Sequence, residues 1–148
     1  MEKTYTAIEL ANFNNALIKL QIVKYANLTF YEFVNKLRRQ IKEQALEIQE
    51  DAKTQEKYEK SIFLMHCEKG AGRDDYILPH VGVDEEFDEK YGDLTKKRNE
   101  LAQREITIEF DNEKIKRKDL PKIKAQEKPT DIVFNGYFLD FLNDFIEE

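Results

Sequence analysis

Three side chains have the chemistry of soft metal ligands or nucleophiles: His66, Cys67 and His80. His66 and Cys67 are sequence neighbours. On a helix they diverge by about 100° and do not readily share one ion. A thiolate zinc site needs two or more cysteines, and the chain has one. No Gly-x-Ser-x-Gly, Walker or His-Glu-x-x-His sequence is present. The residues therefore read as a small buried thiol beside two ordinary histidines. The expectation is no cofactor, no metal and no enzymatic activity.

Gly70-Ala71-Gly72-Arg73-Asp74-Asp75 has the look of a phosphate loop, but a dinucleotide fingerprint needs a strand before it and a third glycine at a helix start. Here a helix precedes it, so the glycines read as positive-φ positions after a helix end. Asp84, Glu85, Glu86, Asp88 and Glu89 place five acids in six residues. Such a cluster can bind a divalent ion. It also fits a helix N-terminus, where the macrodipole favours negative charge, and that is the reading adopted.

Residues 113–128 carry the one marked charge asymmetry. Lys114, Lys116, Arg117, Lys118, Lys122, Lys124 and Lys128 stand against Glu113, Asp119 and Glu127. This stretch is a candidate grip for a partner's acidic surface or for nucleic acid. It contains no aromatic side chain to stack on bases, which disfavours single-strand binding. Phe134, Phe138, Phe141 and Phe145 form a stripe at helical spacing, with Tyr137, Leu142 and Ile146 beside it. An arc that wide is buried in a core or against a second subunit.

Elements must position these residues. The first 69 residues hold no Gly and no Pro, so that half is strongly helical; the 5 Gly and 3 Pro punctuate the rest. A short strand is expected at 4–9. Leu10, Phe13, Leu17 and Leu20 then mark a helix over about 10–25, with Asn12 or Asn14 as its cap. Thr29-Phe30-Tyr31-Glu32 matches a capping box and opens a long helix to about residue 68. Its apolar positions are Phe30, Val34, Leu37, Ile41, Ile48, Tyr58, Ile62 and Met65, and the alternative is a break near 51–55. A loop follows over 69–83, with a short strand at 76–78. Asp84 caps a second helix over 84–104, which carries Phe87, Tyr91, Leu94 and Leu101 on one face and Arg98 in its seam. Ile106, Ile108 and Phe110 alternate with Thr107 and Glu109, the pattern of a half-buried strand. Ile115 and Arg117 begin a partner strand after a turn at 111–113. Thr130 and Asp131 open the last, Phe-rich helix.

The expected fold is α+β and mostly α, one domain over 1–148. Residues 29–104 form a helical hairpin interrupted at 69–83. The strands near 4–9 and 106–110 pair in a small antiparallel sheet, and the C-terminal helix closes the core or a dimer interface. Composition agrees with a water-exposed surface: 36% of residues are charged and the net charge is −6. The 10 Phe and 7 Tyr supply the buriable area that a disordered chain lacks. No apolar run approaches the ~18 residues of a membrane span. No basic-then-apolar leader is visible, so the reading is cytoplasmic and not membrane-bound. The acidic balance disfavours nucleic-acid binding by the chain as a whole.

The order of "IELANFNNALIKL" (8–20), a long charged helix, an acidic helix, "ITIEF" (106–110) and "FLDFLNDFIEE" (138–148) resembles a family of small proteins of unknown function from tailed phages and prophages. Leu10-Ala11-Asn12 and the run from Leu142 to Ile146 carry the resemblance. It implies a phage accessory or structural protein, in the host cytoplasm or in the particle, and assigns no residue a role. The functional expectation is a non-enzymatic interaction protein that binds a protein partner, or itself, through the long helix and the Phe-rich helix. The alternatives are an inhibitor of a host enzyme or defence system, which presents its acidic surface, and a nucleic-acid binder that uses residues 114–128.

Overall fold

The structure is a computed structural model, and it describes residues 1–20, 26–73, 75–121 and 141–147. The elements are β1 (Glu2–Thr6), α1 (Ala7–Leu20), α2 (Leu28–His66), β2 (Glu68–Lys69), β3 (Tyr76–Ile77), α3 (Glu85–Gln103), β4 (Glu105–Glu109), β5 (Ile115–Lys116) and β6 (Ile146–Glu147). A 3-10 turn over Arg117–Asp119 follows β5. The fold is α+β and mostly α, as expected. Where the sequence reads as one domain, the chain's contacts fall into two compact units, Met1–Leu46 with Glu105–Glu148, and Glu47–Arg104.

The first unit is built around an aromatic core. β1 and β4 pair antiparallel, with Lys3 opposite Ile108 and Tyr5 opposite Ile106. The alternation read from the sequence holds, because Ile108 is buried while Thr107 and Glu109 are exposed. On the outer face the Thr4 and Thr107 hydroxyls hydrogen-bond across the strands at 2.9 Å. The strand ends earlier than expected, since the chain turns helical at Ala7. The cause is a capping box: the Glu9 amide donates to Thr6 Oγ1 at 3.2 Å, and Glu9 Oε1 accepts from Thr6 N and Oγ1. Asn12 and Asn14 lie inside α1 and are not its cap. Leu10, Phe13, Leu17 and Leu20 all face the core with no exposure. Residues 21–25, where the expected helix would end, lie outside the described residues.

α2 also begins earlier than Thr29. Asn27 is its cap, because Asn27 Oδ1 accepts from the Phe30 amide at 2.9 Å. Phe30, Val34, Leu37 and Ile41 then bury one stripe in this unit. β5 does not pair with β4. It runs parallel to β6, with Ile115 opposite Ile146 and Lys116 opposite Glu147. That pairing requires an extended backbone at Ile146, so the expected C-terminal helix stops before it. Residues 141–143 are helical; Phe134, Phe138 and the expected caps Thr130 and Asp131 lie outside the described residues.

The second unit is a helical hairpin. α2 is continuous through 51–55 and has 39 residues, about 58 Å of helix at 1.5 Å per residue. Its latter half pairs with α3. Arg104 Nη1 meets Asp51 Oδ2 at 2.8 Å, Arg98 bonds Glu59, and His66 reaches Asp84. The order is antiparallel, as the sequence reading expects. Ile62, Phe87 and Leu94 are its buried centre, flanked by Phe63 and Cys67. Arg98, expected in the seam, is exposed instead and reaches across to the Glu59 carboxylate. A two-stranded ladder, Glu68 opposite Ile77 and Lys69 opposite Tyr76, closes the loop between the helices.

Candidate functional site

The sequence candidates come apart in the structure. Phe141 and Phe145 are buried inside the first unit, where Phe141 stacks on Phe13 and Phe145 meets Phe110 edge-on. Their surface is already used by the fold. Lys114, Lys116, Arg117 and Lys118 are exposed on the first unit, while Lys122 and Lys124 lie outside the described residues. Of the acids among them, Glu113 bonds Lys36 and Asp119 accepts from Asn27 Nδ2 at 3.0 Å, while Glu127 lies outside the described residues.

His66, Cys67 and the acidic cluster do meet, at the end of the hairpin where α2 finishes and α3 begins. Asp84 Oδ1 accepts from the Phe87 amide at 3.0 Å, the expected N-cap. Its Oδ2 lies 2.9 Å from His66 Nδ1. These bonds hold the Asp84 carboxyl below the usual carboxylate range, the Phe87 amide first and His66 second. The carboxylate is therefore ionised at neutral pH, and the ring nitrogen must be the donor. An acid oriented on a histidine is the composition of a general base. Here Nε2, the nitrogen such a base would use, is itself buried and has no hydrogen-bond partner among the described residues. What the pair does in this structure is tie the last turn of α2 to the N-cap of α3. Cys67 is half-buried beside it. Burial, and then the Asp84 charge, push its thiol up from the ordinary value. Among the described residues no three His, Cys, Asp or Glu side chains converge as a metal site would require.

The loop backbone is likewise bound to the chain's own carboxylates. Gly72 N donates to Asp75 Oδ2 at 3.0 Å, and Gly70 N donates to the Asp75 carbonyl at 2.9 Å. The expectation of positive φ at Gly70 and Gly72 is corrected. Among the described glycines it is Gly82 that has it, at 89°. A Cβ at Gly70 would meet the Asp75 Cβ, and one at Gly72 would displace the Asp75 carboxylate that its amide binds. Gly82 N donates to Asp88 Oδ2 at 2.9 Å. Within α3, Glu86 pairs with Lys90 at 2.8 Å.

What sequence reasoning missed is on the outside of this same end. Leu64 and Met65 on α2, Ile77 and Leu78 at β3, and Val81 and Val83 before α3 are all exposed. Val81 is 93% exposed, Val83 76% and Met65 72%, values unusual for side chains of this type. The β2–β3 ladder and the His66–Asp84 bond bring the three segments to one end of the hairpin. A signal was present. Ile62-Phe63-Leu64-Met65 is four consecutive apolar residues on a helix. Four consecutive positions sweep about 300° at ~100° each, so one neighbour cannot cover them all. The sequence of this part of the chain is acidic as well. Residues 64–93 hold nine acids against three Lys and Arg, a net −6. The rest of the hairpin, 47–63 and 94–104, has six acids against seven cations.

Comparison of the chain with protein-family models, with curated proteins and with solved structures finds no match. Among the described residues no helix is long and apolar enough to cross a membrane.

Proposed function

We propose that this is a non-enzymatic protein-interaction module whose contact surface is the end of the hairpin around Val81 and Val83. One observation carries the reading: six large apolar side chains from three consecutive segments are left exposed at an end that is otherwise tightly tied together. Large apolar side chains left exposed on neighbouring segments are a mark of a binding face. The long helix takes part through Leu64 and Met65, while the burial of Phe141 and Phe145 moves the surface away from the C-terminal segment. The resemblance to phage-encoded proteins supports a role as an assembly factor or structural component of a phage.

The test compares three baits in lysate of the source cells: wild type, Val81→Asp/Val83→Asp, and the control Lys96→Asp/Asn99→Asp on the exposed side of α3. The reading expects a discrete protein held by wild type and the control and lost from the Val variant. Equal retention by all three overturns it. Light scattering on the same proteins covers self-association. A dimer dissolved only by the Val substitutions supports the reading, and a dimer indifferent to them counts against it.

A further inference from the structure

We infer that the hairpin end takes a cationic amphipathic segment of a protein partner, one that sets Lys or Arg beside apolar side chains. This rests on the contact surface proposed above and names its ligand class. Two independent features point the same way. The exposed Leu64, Met65, Val81 and Val83 require apolar side chains opposite them. The net −6 that residues 64–93 carry in sequence, with Glu68, Glu85 and Glu89 exposed, is complemented by a basic partner.

The distribution of bonds sharpens the choice. Helix starts and glycine loops ordinarily attract anions through their free N–H groups. Here Asp84 takes the Phe87 amide, Asp75 takes the Gly72 amide and Asp88 takes the Gly82 amide. The chain's own carboxylates already occupy the places a phosphate would use. Glu68, Glu85 and Glu89 are exposed around them. A nucleic-acid backbone or an anionic bilayer brings like charge to this end and is repelled. A basic segment meets carboxylates at the rim and apolar side chains between them. A peptide helix with Leu on one face and Lys on the other has that chemistry.

The test is a titration of the full chain with a short peptide of Leu and Lys at helical spacing. It is set beside the peptide with Glu at every Lys position, and both are run at low and high salt. The receptor is wild type, Val81→Ser/Val83→Ser, or Glu85→Lys/Glu89→Lys. The replaced side chains are exposed, and circular dichroism confirms that each variant folds. Wild type is expected to bind the Lys peptide at least about tenfold more tightly than the Glu peptide, with the difference shrinking as salt screens it. Both variants are expected to weaken Lys-peptide binding by about tenfold or more. Equal binding of the two peptides overturns the inference. So does unchanged affinity of the Val81→Ser/Val83→Ser protein, because a purely electrostatic association ignores those side chains. A self-dimer that the Val substitutions dissolve makes a second copy the occupant and also overturns it. If the peptides fail while the bait comparison still loses its partner with the Val81→Asp/Val83→Asp protein, the contact surface stands and the ligand class is wrong. If both fail, the surface itself is wrong.

Discussion

His66 Nδ1 donates to Asp84 Oδ2 across 2.9 Å, while the other oxygen of the same carboxylate accepts the Phe87 amide at 3.0 Å. One side chain thereby starts α3 and fastens it to the end of α2. Everything between the two residues in sequence, including β2, β3 and Val81-Gly82-Val83, is a loop whose two ends are held by this contact. Closing a loop costs entropy whatever its contents, and a bond at its base supplies part of that cost. The loop's apolar side chains can then face outward without the hairpin depending on them.

Replacement of Asp84 separates the two bonds. Asp84→Asn keeps an acceptor for the Phe87 amide and loses the charge beside His66; Asp84→Ala loses both. At neutral pH the thermal midpoint is expected to fall in the order wild type, Asn, Ala. Because the folded carboxyl is held below its ordinary value, its stabilisation is complete above the ordinary carboxylate value of about 4. It is lost as pH falls through the lower folded value. The gap between wild type and Asp84→Asn therefore closes on acidification. A gap that widens as pH falls would contradict the assignment.

Cys67 offers a readout of the same carboxylate. Burial raises its thiol, and the Asp84 charge adds to the effect. Alkylation by iodoacetamide should show a midpoint above the ordinary thiol value of about 8.5, and Asp84→Asn should shift the midpoint down without removing the burial contribution. A midpoint at or below the ordinary value in wild type would count against this environment.

Tyr5 reports on the first unit. Burial pushes its phenol up to about 12, with the Asp144 and Glu9 charges adding to it. The folded protein thus keeps a proton that the unfolded chain loses near the ordinary value of about 10, so stability declines as pH climbs from there toward the folded value. Phenolate absorbance should show a late step that is missing in Tyr5→Phe. Persistence of the step in that variant would refute the assignment.

Phe13 and Phe141 test whether the C-terminal segment is core or interface. Their rings stack with centroids 4.6 Å apart, and both are buried. Either change to Ala should cost about 3–5 kcal/mol in chemical denaturation. The double variant should cost less than the sum, because the two share one contact. A Phe141→Ala protein of unchanged stability but altered oligomeric state would restore the interface reading.

The helices were legible because their apolar residues recur at helical spacing: Leu10, Phe13, Leu17 and Leu20 on α1, and Phe30, Val34, Leu37 and Ile41 on α2, are all buried. Their starts were less so. Thr29 to Glu32 fits a capping box by pattern, but Asn27 reaches the Phe30 amide first. The equally good Thr6-x-x-Glu9 box was hidden inside a run of β-favouring residues. The pairing of β5 with β6 joins segments 30 residues apart, and no local pattern encodes it. Of the candidate site, the Asp84 cap was readable, and its bond to His66 was not. That bond depends on the phase at which an α2 running without a break for 39 residues ends. Exposure of Val81 and Val83 was invisible for a related reason: sequence shows which side chains are apolar, and only the folded loop shows which remain uncovered.

The most direct test of the central claim is an amide chemical-shift map of the labelled protein titrated with the Leu/Lys peptide. Shifts are expected to concentrate at Leu64–Lys69 and Tyr76–Glu85, with little change at the hairpin's other end near Asp51 and Arg104 or in the β1–β4 sheet. Shifts centred on the first unit, or spread evenly along the acidic positions without the Val81 and Val83 amides, would contradict it.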